Sequence, residues 1–418
     1  MSPRFAVIGG GIAGIYSAWL LDRRGYDVTL YEAQARLGGH TDTHRVDTPL
    51  GALAVDSGFI VFNRANYPLF SEFLNELGVQ AQPSNMSFAV VDETRDLEYN
   101  AETLATLFAQ RRNLLRPPFW AMLRDLLRFY RQAPQLLETI DDTLTLGEFL
   151  DAGGYGETFI RDHLLPMTAA LWSLPMADAE SFPLRYLLRF MHNHAMLQLT
   201  GRPRWLTVSG GSQRYIEAAR AQWHVDVRAG TSVQSIRRDA GGVSVASGDS
   251  EHYDGAVIAC HSDQALRLMT DADDNERAVL GAIAYRRNDM LLHTDASVLP
   301  RRRRARASWN VRLDGDGRAR VSYYMNKLQS LPGETAYIVS LNQSDRIDPA
   351  RIIARRNYHH PVYTAAAVAA QQRWPAINGV RRTWFCGAYW GWGFHEDGVR
   401  SARRAADSIT TAAIPHAA

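Results

Sequence analysis

Three glycines near the start of the chain have the spacing of a phosphate-binding turn. Gly9, Gly11 and Gly14 form the pattern G-x-G-x-x-G, and Glu32 follows 18 residues after the last of them. In such a turn the first glycine permits the tight bend, the second lets a pyrophosphate approach the backbone, and the third lets a helix pack on a strand. A later acidic residue can accept the ribose hydroxyls. The spacing therefore predicts a dinucleotide-binding site.

The elements that would position this turn can be read from its neighbours. Residues 5–9 are a short apolar run, typical of a strand buried on both faces. Residues 12–24 predict a helix that Gly25 ends, and residues 27–31 predict a second strand that leads into Glu32. Ile12 and Ala13 begin the helix, where unpaired N–H groups and the positive dipole end would face the phosphates. This strand–turn–helix–strand unit predicts an α/β fold of the Rossmann type.

A second glycine loop follows the ribose acid. Its pattern is R-x-G-G-H-x-x-T, and its residues are Arg36, Gly38, Gly39, His40 and Thr43, directly after Glu32 and Ala33. The block resembles the FAD-dependent amine oxidase and phytoene desaturase superfamily, whose members carry R-x-G-G-R-x-x-T/S here as a second loop over the FAD pyrophosphate. This resemblance implies FAD as the cofactor. His40 replaces an arginine, and because an imidazole cannot make the bidentate contact of a guanidinium, we expect weaker or more pH-sensitive phosphate binding.

Two further blocks in the first two thirds of the chain match the same superfamily. The segment Ser57, Gly58, Phe59 and Ile60 resembles the stretch that passes the isoalloxazine ring. Residues 210–215 resemble a stretch that opens a helix, and the resemblance implies that Val233 meets the adenine. We also expect residues 225–233, 243–246 and 256–260 to be strands of the same sheet as residues 5–9.

A C-terminal block completes the resemblance. Residues 382–402 match the last strand, turn and helix start of the superfamily, with Gly387 and Ala388 in the turn. The resemblance implies that Gly398 and Val399 direct N–H groups at flavin N1 and O2, where negative charge accumulates on reduction. Ala388 stands where the superfamily usually has an acid. Cys386 precedes the turn within an apolar run, so we interpret it as a buried thiol and expect non-covalent FAD.

The residues beside this block are candidates for catalysis and substrate contact. His395 is a candidate acid or base, because an imidazole titrates near neutral pH, and the alternative is a histidine that holds the loop by hydrogen bonds. Tyr389, Trp392 and Phe394 predict an aromatic wall that suits a hydrocarbon at least as well as an amine. Amine oxidases of the superfamily place a lysine near flavin N5, yet Lys327 is the only lysine and lies outside the corresponding strand, residues 284–293. We expect Lys327 at the surface.

A narrower resemblance covers nearly the whole chain. The blocks at residues 57–63, 260–265, 324–329 and 389–398 look like those of a bacterial group of NAD/FAD-binding proteins, often encoded beside enzymes similar to cyclopropane-fatty-acid synthase. This resemblance implies a fatty acyl or phospholipid substrate and a methyltransferase as functional partner. We therefore predict an FAD-dependent oxidoreductase that desaturates a CH–CH unit of an acyl chain. The alternatives are an amine oxidase and a redox-neutral fatty-acid isomerase of the same fold.

Composition and charge limit the remaining possibilities. The 418 residues predict more than one domain, with residues 1–80, 200–270 and 375–418 binding FAD and an α+β substrate domain at 81–199 and 271–374. A net charge of +2 gives no general case for nucleic acid, and two cysteines suit a cytoplasmic protein without a metal site. Nothing in the sequence indicates an oligomeric state.

One segment of the predicted substrate domain is strongly basic. Residues 111–131 hold six arginines and one acid, with Phe119, Leu123, Leu126, Leu127 and Tyr130 predicted on one helical face. Such a helix is typical of a membrane-surface element on the inner face of the cell membrane, and the alternative is a solvated helix that covers the core. Residues 301–306 contain five arginines, for which we expect a solvated loop or a contact with phosphate headgroups.

Overall fold

The glycine turn belongs to a five-stranded parallel sheet. In the computed structural model, which describes residues 2–49, 51–315 and 318–411, the strand order is β19-β13-β1-β2-β9, with elements numbered along the chain. The strands are β1 (Arg4–Ile8), β2 (Asp27–Glu32), β9 (Asp226–Ala229), β13 (Gly255–Ile258) and β19 (Thr383–Phe385). Because every neighbouring pair is parallel, the carboxyl ends of the strands meet at one edge, where ligands of such sheets bind.

A second, seven-stranded sheet is mostly antiparallel. Its order is β18-β14-β17-β16-β15-β6-β7, and only β15 and β6 pair in parallel within it. The strands are β6 (Phe88–Asp92), β7 (Leu97–Asn100), β14 (Tyr285–His293), β15 (Trp309–Leu313), β16 (Ala319–Tyr324), β17 (Ile338–Leu341) and β18 (Ile352–Pro361). All of them fall within the ranges predicted for the substrate domain. The α/β fold with a Rossmann-like sheet and an interleaved α+β part is confirmed.

Three small antiparallel sheets complete the strands. They are formed by β3 (Thr43–Thr48) with β4 (Gly51–Asp56), β5 (Ala81–Pro83) with β8 (Leu206–Val208), and β10 (Ser235–Arg238) with β11 (Val243–Ser247) and β12 (Asp249–Tyr253). The prediction that residues 243–246 join the parallel sheet is therefore wrong. They form the middle strand of a meander, because two short turns bring β10 and β12 to pair with β11 first.

Helices cover both large sheets. Those packed with the parallel sheet include α1 (Ile12–Arg23), α2 (Pro68–Glu76), α10 (Gln213–Arg220), α11 (Ser262–Leu268), α12 (Asp274–Gly281), α14 (Ala365–Gln372) and α15 (His395–Thr411). A helical layer beside the mixed sheet contains α3 (Leu104–Leu107), α4 (Pro117–Thr139), α5 (Leu146–Ala152), α6 (Glu157–Phe159), α7 (Leu165–Trp172), α8 (Met176–Glu180) and α9 (Leu184–Asn193). The short α13 (Met325–Leu328) follows β16.

The buried face of the basic helix α4 overlaps the predicted apolar face but is centred on other residues. Its buried residues are Phe119, Met122, Asp125, Phe129 and Ala133, whereas Leu127 is exposed. Asp125 is buried because its carboxylate accepts a hydrogen bond from the N–H of Gly156 at 2.9 Å. Of the residues predicted to share one face, Phe119 is buried and Leu123, Leu126 and Tyr130 pack partly buried against the same core, so the prediction is wrong only for Leu127.

The last predicted piece of the FAD-binding domain, residues 375–418, is described to residue 411; residues 412–418 lie outside the described residues, as do Met1 and Leu50. Within the described part of the chain, no helix combines the length and the apolar character needed to cross a bilayer.

Candidate functional site

Steric contacts explain Gly9 and Gly14 of the first turn, and open space marks Gly11. Gly9 has φ +110°, and a Cβ there would lie 2.9 Å from the backbone nitrogen of Cys260. At Gly14 a Cβ would lie 1.8 Å from the Gly9 carbonyl oxygen, so that α1 can approach β1 only with glycine. No described atom lies within 4 Å of a Cβ built at Gly11, which leaves its backbone open to a phosphate group. The three positions have the geometry that a dinucleotide turn requires.

The second loop lies directly against the first. The N–H of Gly38 donates to the Gly10 carbonyl at 2.7 Å, and a Cβ at Gly39 would lie 3.2 Å from the Cα of Gly11. Arg36 donates to the Gly39 and Thr41 carbonyls at 2.8 and 2.9 Å. Its guanidinium therefore holds the shape of this loop.

His40 stands in an aromatic and imidazole cluster. Its ring stacks on Tyr358 at 4.7 Å between centroids, and His360 lies at 5.2 Å. Burial first, and then the neighbouring His360, hold the pKa of His40 well below its usual value, so the imidazole is neutral at physiological pH. Its Nε2 is buried without a hydrogen-bond partner among the described residues. An unpartnered polar atom between the two glycine loops and the mixed sheet fits a site that holds a polar cofactor.

The ribose end of the predicted site also comes together. Glu32 accepts hydrogen bonds from the N–H groups of Gly10 at 2.7 Å and Gln34 at 2.8 Å, which leaves each oxygen one further acceptor position. The N–H of Thr231 donates to the Glu32 carbonyl at 2.9 Å, and this bond brings the segment before the buried Val233 beside the acid. Ala33 is exposed next to it.

Two helix N-termini meet at the site. A Cβ at Gly398, in the first turn of α15, would lie 2.9 Å from the Ile12 side chain and 3.8 Å from Ala13 in the first turn of α1. Val399 is fully buried behind this contact. Because each helix directs N–H groups and a positive dipole end to its start, the pair suits the phosphates and the electron-rich edge of a flavin.

The segment at residues 57–60 packs against the second loop. The N–H of Phe59 donates to the His40 carbonyl at 2.8 Å, and a Cβ at Gly58 would lie 2.0 Å from the same oxygen. Ser57 Oγ lies 3.1 Å from the hydroxyl of Tyr358. The Ile60 carbonyl accepts from Thr207 at 2.7 Å. Three predicted cofactor segments therefore form one contiguous surface.

His395 is held by other side chains. Its Nε2 lies 3.0 Å from Thr41 Oγ1 and 3.2 Å from the hydroxyl of Tyr215, and its ring stacks on Phe59 at 3.6 Å. Burial lowers the pKa of His395 to about 3, which keeps the imidazole neutral. These contacts favour the loop-holding interpretation, and the catalytic role of His395 stays a prediction.

The C-terminal turn is fixed by its own hydrogen bonds. The N–H of Gly387 donates to Ser401 Oγ at 2.9 Å, and the Ala388 carbonyl accepts from Gly391 and Gly393 at 3.1 and 3.2 Å. Tyr389 does not join the other predicted pocket residues. It packs in the core near the parallel sheet, 6.5 Å from the ring of Tyr285, because the 3-10 turn Ala388–Trp390 directs it inward.

Trp392 and Phe394 do form a shared aromatic wall. Phe394 stacks on Phe190 of α9 at 5.1 Å, and Trp392 lies 6.0 Å from the same ring. Both residues line a cleft of about 300 Å³ that also contains His194 and Asp397. Burial raises the pKa of Asp397 to about 6, although its carboxylate accepts a hydrogen bond from the N–H of Phe394 at 3.0 Å.

Lys327 lies on the short helix α13 rather than on β14, the strand formed by Tyr285–His293. Its Nζ lies 3.8 Å from a carboxylate oxygen of Glu102, and about a third of the side chain is exposed. The structure therefore gives the single lysine an ion-pair partner and places it outside the strand at residues 285–293.

The residues of the site fit FAD. The open approach at Gly11, the orphaned Nε2 of His40 and the paired helix starts are what a flavin dinucleotide would use. Together with the two sheets, they define the class of protein: an FAD-dependent oxidoreductase with a Rossmann-like cofactor part and a second part built on a mixed sheet. The family model described as flavin containing amine oxidoreductase matches residues 12–286, and the chain belongs to this family. FAD is accordingly its cofactor.

Similar sequences come from several functional groups. A carotenoid phi-ring synthase of Streptomyces griseus is 27% identical over 286 residues, which are 64% of this chain and 54% of that protein. A lysine-specific histone demethylase 1B homolog of Caenorhabditis elegans is 32% identical over 93 residues, or 22% of this chain and 11% of that protein. The chain thus spans about half the length of the first relative and a smaller part of the second.

Similar solved structures cover the whole fold. A CLA-producing fatty acid isomerase from P. acnes has a TM-score of 0.70 and 16% identity, covering 98% of this chain and 99% of that one. Cyclohexylamine oxidase from Brevibacterium oxydans has a TM-score of 0.71 and 17% identity with the same coverage. At these identities the likeness shows the fold alone.

Sequence reasoning missed residues that approach the site from the mixed sheet. Tyr358 and His360 of β18 contact His40, and the side-chain amide of Asn288 of β14 donates to Nδ1 of His360 at 3.0 Å. Gln329 binds the buried Asp56 through both its amide and its carbonyl, at 2.9 Å each. The adjacent aromatic and imidazole residues at 358–360 were a usable signal, whereas the pairing of Gln329 with Asp56 spans 273 positions and leaves no local pattern.

Proposed function

We propose that this protein oxidises a CH–CH unit of a fatty acyl chain, as found in methylated or unsaturated membrane phospholipids. Bound FAD would supply the acceptor for a hydride from such a substrate, while a proton would leave the neighbouring carbon to a base. The substrate thereby loses two hydrogens and gains a double bond. The single observation that carries the proposal is the aromatic pair Trp392 and Phe394, which lines a cleft after the C-terminal turn and packs on the buried Phe190.

The chemistry of this wall suits an apolar chain. Phe190 and Phe394 stack face to face, and Trp392 uses its backbone carbonyl to accept from the indole N–H of Trp172 at 3.1 Å. The aromatic side of the cleft offers a hydrocarbon contact area. The names of two similar proteins, a carotenoid ring synthase and a fatty acid isomerase, indicate apolar substrates for those proteins and support an apolar one here.

The position of the lysine argues against amine oxidation. In amine oxidases of the superfamily, the resemblance implies a lysine on the strand that corresponds to β14. In this chain β14 contains Arg286, Arg287 and Asn288 and no lysine. Lys327 is engaged with Glu102. Because β14 carries no lysine, the strand lacks the residue that the resemblance implies for the superfamily's commonest reaction.

Anaerobic mixing of the FAD-loaded protein with candidate substrates tests the proposal. A methylated or unsaturated phospholipid should bleach the flavin absorption near about 450 nm, and the product should be lighter by two hydrogens. Putrescine and cyclohexylamine serve as the amine controls. Bleaching by an amine, together with no bleaching by any acyl lipid, would show that the proposal is wrong.

A redox-neutral isomerase is the second candidate, favoured by the full-length match to the P. acnes fold. Mass analysis of the product separates the two reactions, because isomerisation leaves the substrate mass unchanged. Recovery of an isomer of equal mass, with the flavin oxidised after turnover, would replace desaturation by isomerisation as the function of the same site.

A further inference from the structure

A cluster of large apolar side chains lies exposed at one end of the helical layer. Its members, hereafter the apolar patch, are Leu104, Leu114, Leu115, Trp120 and Leu127. Leu115 is 86% exposed, Leu104 77% and Trp120 49%. Five of the eight large exposed apolar residues in the described part of the chain thus come from residues 104–127. Such concentration is unusual for a surface that faces only water.

Local contacts show that the patch is one surface. The indole N–H of Trp120 donates to the Leu114 carbonyl at 2.9 Å, which fixes the 3-10 turn Arg111–Leu115 on the start of α4. The ring of Phe108, which follows α3, lies 5.5 Å from Trp120. On α4, Trp120 and Leu127 are seven residues apart and share the outward face, opposite the buried Phe129.

Arginines surround these apolar residues. Arg124 and Arg131 lie on the same outward face of α4, between and after Trp120 and Leu127. The guanidinium groups of Arg112 and Arg116 both donate to the carbonyl of Asp96, at 2.7 and 2.9 Å. Asp96 directly precedes β7, so both guanidinium groups lie beside the start of that strand. The basic segment at residues 111–131 therefore runs along two sides of the apolar patch.

A second basic segment, residues 301–306, meets the segment at residues 111–131 beside β7. The 3-10 turn Arg303–Ala305 packs against α3 and β7. The N–H groups of Arg301 and Arg302 donate to Glu98 of β7 at 3.0 and 3.3 Å. The pKa of Arg112 is lowered by partial desolvation first and then by the like charges of Arg116 and Arg302, as expected where the two segments meet.

Most nearby acids are already paired. Asp96 pairs with Arg112, Glu98 with Arg302, and Glu93 with Arg301. In contrast, Arg111, Arg131, Arg303 and Arg304 are exposed and form no ion pair with any residue that the structure describes. The rim of the apolar patch therefore carries an excess of positive charge.

We propose that the apolar patch and its arginine rim dock on the surface of an anionic phospholipid bilayer. Leucine and tryptophan side chains would enter the boundary between headgroups and acyl chains, while the arginines bind lipid phosphates. Nucleic acid phosphates would also attract the arginines, but exposed leucines add nothing to backbone binding. The inference deepens the proposed function, because it names the surface through which a lipid substrate would be reached.

Co-sedimentation with vesicles tests the docking surface on the intact, FAD-loaded chain. Wild-type protein should bind vesicles that contain phosphatidylglycerol, bind pure phosphatidylcholine vesicles far less, and dissociate as salt rises well above about 0.15 M. The double variant Leu115→Glu/Leu127→Glu should lower the apparent partition constant at least about tenfold, because it places charge in the interface. Ile353→Glu/Val380→Glu changes two exposed apolar residues elsewhere and should bind as wild type does.

A second pair of variants isolates the charge. Arg303→Gln/Arg304→Gln should weaken binding at least about tenfold, whereas Arg45→Gln/Arg214→Gln removes the same charge from exposed sites elsewhere and should change binding little. Equal binding by the patch variants and wild type would overturn the proposal. Binding of single-stranded DNA, but not of vesicles, that only the arginine variants lose would overturn it in favour of nucleic acid.

Vesicle binding is measured without turnover, so its outcome is separate from the proposed reaction. The Leu115→Glu/Leu127→Glu variant should still show flavin bleaching with a fatty acid dispersed in detergent, at the wild-type rate. Retained bleaching with lost vesicle binding supports both ideas. Vesicle binding without bleaching by any acyl substrate would leave the docking surface in place and remove the proposed function.

Discussion

At the scale of single residues, Lys327 separates acyl from amine chemistry. Its Nζ lies 3.8 Å from Glu102, an exposed type of ion pair that contributes at most about 1 kcal/mol to stability. Lys327→Met should therefore leave the rate of flavin reduction within about twofold of wild type and shift the melting temperature little. Stopped-flow measurement of flavin bleaching checks this. A loss of rate beyond tenfold, with FAD still bound, would show that the lysine acts at the cofactor.

The buried Asp397 should make the free energy of unfolding depend on pH. Its pKa is raised to about 6 by burial, whereas an unfolded aspartate titrates near its ordinary value of about 3.9. The folded state therefore binds this proton more tightly, and its contribution to stability is present below about pH 4 and is lost as the pH rises to about 6. Asp397→Asn should remove this loss, because the amide keeps an acceptor for the N–H of Phe394 and cannot ionise.

The free energy of unfolding of both proteins, measured by denaturant titration between about pH 4 and 7, checks the prediction. Asp56 and Asp162 are also buried with pKa values of about 6, so the wild-type curve sums several groups and only the difference between the curves reports Asp397. Parallel curves would show that Asp397 ionises in the folded state as it does in the unfolded one.

At the scale of elements, the glycine turn offers two substitutions with different consequences. Gly11→Ala should leave the FAD-free protein stable to within about 1 kcal/mol, because the new Cβ meets no described atom, and should weaken FAD binding by filling the open approach. Gly14→Ala should destabilise the protein as well, because its Cβ would lie 1.8 Å from the Gly9 carbonyl and force α1 away from β1.

Thermal melting of the FAD-free protein and FAD titration by fluorescence measure the two effects separately. Gly281→Ala is the matched control, because a Cβ at Gly281 in α12 would make only ordinary van der Waals contact. Gly25→Ala is unsuitable, because Gly25 has φ +83°. If Gly11→Ala binds FAD as tightly as wild type, the cofactor's phosphates do not approach the backbone there.

Elements defined by local signals were predictable, and their partners were not. The turn at Gly9, helix α1 and strand β2 agree with the predicted bounds to within a residue, because each is specified by neighbouring residues. Strand β11 was recognised but assigned to the wrong sheet, since an apolar run carries no information about its neighbours. Helix α4 has apolar residues on more than one side, and its sequence does not indicate that Asp125 is buried while Leu127 is exposed.

At the scale of the whole molecule, the candidate site depends on contacts between distant segments. The cofactor loops were predictable because their motifs are short and specific. The groups that reach them from the mixed sheet, such as Tyr358, His360 and Arg356, come from β18 and are more than 300 positions from the second loop. Nothing in local periodicity indicates that this strand crosses the cofactor loops, so these residues required the structure.

Asp42 joins the second loop to β18 of the mixed sheet. This buried carboxylate of the second loop accepts from Arg356 of β18 at 2.7 Å, with Arg36 at 3.4 Å and His44 at 3.5 Å. The pKa of His44 is lowered by burial first, raised in part by Asp42 and lowered again by Arg356. Arg356→Gln should therefore raise the pKa of His44, and Asp42→Asn should lower it further, which NMR titration of the imidazole can follow.

Asp42 and Arg356 should be energetically coupled, because removing either charge leaves the other with fewer partners where the second loop meets β18. A double-mutant cycle of Asp42→Asn and Arg356→Gln should give a coupling free energy of about 1–3 kcal/mol, together with weaker FAD binding in each single variant. The exposed pair of Arg45 and Asp47 on the β3–β4 hairpin is the matched control, with an expected coupling below about 0.5 kcal/mol. Equal coupling in both cycles would mean that the mixed sheet holds the cofactor loop through packing rather than through this ion pair.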